Sequence, residues 1–403
     1  MTVSPSTDIR YRVLDAWRGI CACLVTCVHI PVAHGWQTAD AFKNMQLFVD
    51  FFFVLSGFVI CHAYGERLER DRNWQGFMIR RFGRIYPIHF VVLAGFVGLE
   101  FIKFATGVFV KLPLDGVPFT GAHSAGTLIS NLVLTQAFNL HGATTWNDPA
   151  WSIGVEFYTY AIFAAAVLLA GPKPLTFVVL AALGLAGVVA FSPSWMFTTH
   201  DYGFWRCLYG FFLGCLVCKF VVSKSRLMLP ARFDERLVLG GLSSATAVEL
   251  VAVSGLAAYI LLTGKNASSL AAPLVFAVII AVFAGERGAI SRALLTAPAQ
   301  ALGLWSYSIY MIHMLLFVVL KIVMTALAAV KIFGITALVS EPVKLWTLGN
   351  PAVDAALVAI YLGLVLFLAK YSFEWIEAPA RAWFALLADE VAPGRRVAMA
   401  KVA

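Results

Sequence analysis

Apolar residues in this chain gather into stretches of about 18 or more, long enough for a helix to cross the hydrocarbon core of a bilayer. Ten such stretches are predicted as spans, at roughly 19–36, 46–64, 86–106, 151–170, 175–192, 205–222, 244–263, 270–285, 302–327 and 353–372. A further apolar piece, 127–140, has only 14 residues and reads as a re-entrant or buried short helix. Counting it as a span would put Lys219, Lys224, Arg226, Arg232 and Arg236 outside, against the tendency of basic residues to stay on the cytoplasmic side. With ten spans both termini are cytoplasmic, and 21 of the 30 basic residues fall inside against 5 in outer loops. The expected organisation is a cytoplasmic N-terminus at 1–18, a multi-pass membrane domain at 19–372 and a cytoplasmic tail at 373–403. No small-residue cleavage site follows the first run cleanly, so it reads as a retained span rather than a signal peptide. The fold class is an all-α integral membrane protein.

Composition removes the alternatives. Of 403 residues, 61% are hydrophobic and 13% charged, about half the charged share of a soluble domain. That excludes a secreted enzyme, a nucleic-acid binder and a disordered chain. The net charge of +8 reports orientation more than an acidic partner. Cys21, Cys23, Cys27, Cys61, Cys207, Cys215 and Cys218 all sit in apolar stretches and read as small buried hydrophobes, with no disulfide framework or metal site. No internal repeat is visible, which counts against a transporter built from two related halves.

Ionisable groups at membrane depth are costly, so each is a candidate for function. Arg18 and His29 are eleven helical steps apart, nearly three whole turns, so they share a face at an axial separation of about 16 Å. His29 has a blander reading as a helix-to-helix hydrogen-bond partner. Arg81 and Arg84, at i and i+3, present guanidinium forks suited to phosphate, or are ordinary charge at a helix entrance. Asp148-Pro149 reads as an N-cap followed by proline at the first helical position, with Ser152 and Glu156 on one face beyond it. Asp50 enters from the same side. Either acid can receive a hydroxyl substrate, orient a histidine or pair structurally with an arginine. Ser306, Tyr310 and His313 form one polar stripe at i, i+4 and i+7, which puts His313 level with His29. Arg206 is expected at the outer end of its span, snorkelling towards water.

Five segments together resemble the membrane acyltransferase-3 family, integral-membrane O-acyltransferases of bacterial surface sugars. They are Leu14-Asp15-Ala16-Trp17-Arg18-Gly19 leading to His29, Asp50-Phe51-Phe52-Phe53-Val54-Leu55-Ser56-Gly57-Phe58, Arg81-Phe82-Gly83-Arg84-Ile85-Tyr86-Pro87, Trp151-Ser152-Ile153-Gly154-Val155-Glu156-Phe157-Tyr158 and Ser306-Tyr307-Ser308-Ile309-Tyr310-Met311-Ile312-His313. The closing Glu374-Trp375-Ile376-Glu377-Ala378-Pro379 also looks like the family's C-terminal signature. The resemblance implies ten spans and transfer of an acyl group, usually acetyl, from cytoplasmic acyl-CoA to a carbohydrate hydroxyl presented from the far side. It makes His29 the essential histidine, Arg18 its partner, and Arg81 and Arg84 the donor-binding pair; Arg18 and Tyr86 are expected to bind the donor with them. Phe157 departs from the acid or glutamine that often follows the glutamate. A fused extracytoplasmic hydrolase-like domain, carried by some relatives, is not expected here.

The expected chemistry has His29 either as general base on the acceptor hydroxyl or as an acylated relay. Glu156 first, then Asp50 or His313, would orient the base or hold the acceptor, with Trp151, Ser152 and Tyr310 binding substrate. The donor is acyl-CoA, acetyl-CoA foremost, with no metal. The acceptor is an exopolysaccharide, lipopolysaccharide, peptidoglycan or glucan, and the setting is the inner (cytoplasmic) membrane. No nucleic acid is expected; a homo-oligomer or polysaccharide-assembly partners remain open. Two rival readings are a proton-coupled transporter, which moves substrate without consuming acyl-CoA, and a non-catalytic scaffold, which tolerates alanine at both His29 and His313.

Overall fold

A computed structural model describes residues 10–30, 32, 40–110, 117–227, 243–329, 336–340 and 343–391. Ten helical elements correspond to the ten expected spans. They are α1 (Arg12–Val28), α2 (Phe48–Asp71), α3 (Trp74–Ala105), then, after the short α4 (Ala125–Leu132), α5 (Trp151–Ala170), α6 (Pro174–Phe191), α7 (Gly203–Leu227), α8 (Ser244–Leu262), α9 (Ala272–Phe283), α10 (Ala297–Ala329) and α11 (Pro351–Ser372). Among the described residues, eight helices are long and apolar enough to cross a membrane. The other two are shorter: α1, with 17 residues, and the apolar stretch Ala267–Phe283 that ends in α9. The segment at 127–140 is not a span. It holds most of the 8-residue α4, with Asn131 buried, and a turn whose Leu134, Gln136 and Ala137 are closed off from solvent.

The first element differs from the expected 19–36. Helix α1 starts at Arg12 and ends at Val28, with His29 as its C-cap. The early start follows from burial of Val13, Leu14, Ala16 and Trp17; Asp15 and Arg18 lower the hydropathy of that turn but sit in the protein rather than in lipid. The early end follows from Pro31, which has no N–H to continue the ladder. The tail begins as helix. A wide helical turn at Phe373–Glu377 leads into α12 (Ala378–Glu390), which packs back on α3, so helix continues well past 372. Residues 1–9 and 392–403, with Arg232 and Arg236, lie outside the described residues. Between α10 and α11 stands an antiparallel hairpin, β1 (Thr336–Ser340) and β2 (Val343–Thr347), with Ser340 opposite Val343.

Hydrocarbon supplies no hydrophobic drive for one helix to join another, so close backbone approach and interhelical hydrogen bonds carry the packing. Glycines mark two tight seams. A Cβ placed on Gly57 of α2 would stand 1.8 Å from the Phe211 carbonyl oxygen, and one on Gly214 of α7 would stand 1.9 Å from that of Val54. Gly210 and Gly214 thus form a small-residue face at i and i+4 against which α2 lies parallel. Helices α1 and α10 are also parallel, with Gly19 against Leu302 and Gly303 against Asp15. That second seam brings the polar stripe of α10 alongside α1. The Tyr307 hydroxyl donates to the Ile85 carbonyl at 2.5 Å and ties α10 to α3.

The chain from α4 to α5 is held by polar groups that the membrane would otherwise penalise. Gln136 Nε2 donates to the Ala150 carbonyl at 2.8 Å, Asn147 Nδ2 to the Met311 carbonyl at 3.2 Å, and the Tyr86 hydroxyl to the Leu132 carbonyl at 2.9 Å. These bonds fix the turn Asp148–Ala150 that starts α5 beside the end of α1.

Candidate functional site

The three polar residues of the α10 stripe each meet a different partner. At its first position the Ser306 hydroxyl accepts from Arg18 Nε at 2.7 Å, while Arg18 Nη2 donates to the Gly303 carbonyl at 3.0 Å. Asp15 lies 3.4 Å from the same guanidinium. At the second position the Tyr310 hydroxyl is 2.8 Å from the Ser152 hydroxyl, and both lie 3.0 Å from the Pro149 carbonyl. At the third, His313 Nε2 stands 3.4 Å from His29 Nδ1. A straight helix places positions 306 and 313 about 10 Å apart along its axis.

Backbone carbonyls set the histidine tautomers. His29 Nδ1 lies 3.1 Å from the Val25 carbonyl and His313 Nδ1 lies 3.3 Å from that of Ile309. Assigned from this network, both rings carry their proton on Nδ1, so His29 Nε2 is left as a lone pair. That nitrogen faces the Asp148 carboxylate at 4.0 Å. His313 and Tyr310 are buried, whereas the side chains of His29 and Asp148 are 24% and 38% exposed. The open side of the pair is therefore the Asp148 side.

A cavity of about 130 Å³ lies on the other side of Tyr310. Arg18, Arg81 and Arg84 line one part of it, Ser56, Glu156 and Tyr160 another, and Ser152 with Tyr310 close the wall towards the histidines. The three arginines differ in what already holds them. Arg84 pairs with Glu377, whose second oxygen accepts from Ser308 at 3.1 Å. Arg18 is tied to α10 as above. Arg81 lies over the rings of Tyr64 and Tyr160, 5.2 and 5.9 Å from their centroids, and donates to the Tyr64 hydroxyl at 3.4 Å. Among the described residues it has no carboxylate partner, and its Nε is buried without a hydrogen bond. Glu156 accepts from Tyr160 at 2.7 Å, and Ser56 stands 3.1 Å from the same hydroxyl.

Arg18, Arg81, Arg84, Ser152, Glu156 and Tyr310 thus meet at one cavity, and His29 and His313 meet just beyond it. Three other candidates lie elsewhere. Asp50 is fully buried and gives both oxygens to Arg206, at 2.8 and 2.9 Å. Arg206, expected to snorkel, is 1% exposed: an ion pair with excellent geometry keeps it inside. Trp151 covers that pair, its ring 5.3 Å from the guanidinium carbon. Tyr86 stacks on Phe82 at 4.3 Å and does not line the cavity.

Sequence reading missed Asp148 and Glu377 as site residues. Asp148 carried the signature of an N-cap, but no side-chain cap bond forms at this helix start, which leaves its carboxylate for His29. Glu377 stood in a recognisable motif without a role, because its partner is 293 residues away. Among the described residues there is no cluster of three or more metal-ligating side chains.

A bundle of apolar helices around buried arginines, acids and a histidine pair defines a multi-pass membrane protein with an ionisable centre. Residues 11–370 match the family model described as an acyltransferase domain, acyltransferase-3. The chain belongs to that family and is an acyltransferase. It is also similar to "Protein 2 in picA locus" of Rhizobium radiobacter, at 31% identity over 168 residues, 40% of this chain and 85% of that protein. No solved structure matches it.

Proposed function

We propose that this acyltransferase moves an acyl group, acetyl foremost, from cytoplasmic acyl-CoA to a hydroxyl of a surface or exported carbohydrate across the inner membrane. The observation that carries the reading is the order along α10: an arginine-lined cavity at Ser306, a closed pair at Tyr310 and Ser152, and the histidines at His313 and His29.

Guanidinium groups bind phosphate oxygens with charge-assisted, often bidentate hydrogen bonds. Arg81 has donors not yet engaged, with Arg84 and Arg18 beside it, so the nucleotide end of the donor belongs in this cavity. The thioester arm then reaches His29 along α10 once the Tyr310–Ser152 pair parts. His29 Nε2 takes the proton of the attacking hydroxyl, or the ring is acylated and passes the group on. Glu156, on the cavity wall near Arg81 and Arg84, suits the donor side rather than the acceptor. The acceptor meets His29 from the face where Asp148 is exposed.

The test supplies labelled acetyl-CoA to membranes carrying the wild type or His29→Ala. Loss of a general base lowers transfer by about a hundredfold or more, with protein level unchanged. Undiminished labelling of surface glycan in the variant would remove His29 from the mechanism.

A further inference from the structure

We propose that the gap between His29 Nε2 and Asp148 Oδ2 is the acceptor subsite, and that it takes a polyol through two adjacent hydroxyls. The inference rests on the reading of His29 as the base and adds the substrate class and a second residue that touches it.

Two acceptor atoms, an imidazole lone pair and a carboxylate oxygen, face each other at 4.0 Å. The Val25 and Ile309 carbonyls hold the ring protons on the opposite nitrogens, so neither atom can donate to the other. A single hydroxyl has one proton and can satisfy only one of them. Each O–H···N or O–H···O bond needs a donor at roughly 2.7–3.0 Å. Two hydroxyls on neighbouring carbons, with oxygens side by side, meet both acceptors at once.

In the step that follows, the hydroxyl on His29 gives its proton to Nε2 while its oxygen bonds to the thioester carbonyl carbon. The carbon–sulfur bond breaks, and the departing thiolate takes the proton from the imidazolium. The product is an ester beside an unreacted hydroxyl still on Asp148.

The experiment uses membrane vesicles carrying the full chain, labelled acetyl-CoA, and either glycerol or propan-1-ol at equal concentration. Wild type is expected to esterify glycerol at least about tenfold faster, as suits one hydrogen bond to a charged group. Asp148→Asn should cut that preference to below about threefold, with CoA binding unchanged, and Asp148→Glu should keep part of the preference. Equal rates for the two alcohols in wild type, or the same preference in Asp148→Asn, would overturn the subsite. So would an equal loss of both esters in Asp148→Asn, which assigns the residue to folding. Absence of labelled ester on either alcohol and on endogenous glycan in wild type is a separate outcome, which overturns the acyl-transfer reading and the subsite with it.

Discussion

Asp50 and Arg206 are fully enclosed and hydrogen-bonded through both carboxylate oxygens. Arg206 also donates to the Thr198 carbonyl at 3.0 Å. Removing one member of such a pair strands a buried charge, at a cost of about 3–5 kcal/mol, whereas replacing both with apolar groups is often close to neutral. Arg206→Met is therefore expected to lower the unfolding temperature sharply in detergent, and Asp50→Leu with Arg206→Met to recover most of it. Because neither side chain lines the cavity, the double variant should keep acyl transfer within a few-fold of wild type; loss of transfer at restored stability would return Asp50 to the chemistry. At this scale the sequence marks the costly residues but not their partners. Along the chain Asp50 reads as a candidate site acid and Asp148 only as an N-cap. What separates them is a contact from position 206 in one case and the end of helix α1 in the other.

Ten apolar runs were legible as ten helical elements because each is carried by an unbroken stretch of side chains. Their ends were less legible, since helix ends are set by local breakers and by neighbours. Pro31 stops α1 at Val28, which turns His29 from a mid-helix residue into a C-cap. The Asp15-to-Arg18 turn belongs to the same helix because α10 supplies Ser306 and the Gly303 carbonyl, information absent from a hydropathy window. Helix seams make a sharper test. Gly57 touches the α7 backbone, so Gly57→Val must push α2 and α7 apart; overpacking of this kind costs about 1–3 kcal/mol or more. Gly98 has nothing within 4 Å of an added Cβ, and Gly98→Ala should be neutral or stabilising by up to about 1 kcal/mol. Monodisperse yield and thermal unfolding of the two variants check this. Equal tolerance would mean the glycine seam does not hold the bundle.

At the scale of the whole molecule, the cavity draws its arginines from α1 and α3 and then uses the far end of the chain to hold one of them. Glu377 is 1% exposed, and its partners Arg84, Ser308 and Arg381 come from three elements. This division of labour separates the two arginines that sequence reading treats as a pair. Arg84→Ala leaves the Glu377 carboxylate buried without its main partner, so its first effect should be on stability, a loss of about 3–5 kcal/mol. Arg81→Ala breaks no ion pair among the described residues and gives up contacts with Tyr64 and Tyr160. Its first effect should be on donor binding: an acyl-CoA KM raised about tenfold, the size of one lost hydrogen bond to a charged group, with little change in unfolding temperature. Salt should also weaken donor binding less in Arg81→Ala than in wild type, because a charge exposed to the incoming phosphate is the one that salt screens. Measuring KM and unfolding temperature for both variants at two ionic strengths separates these effects. If Arg84→Ala raised KM at unchanged stability and Arg81→Ala did the reverse, the roles of the two side chains in the cavity would have to be exchanged.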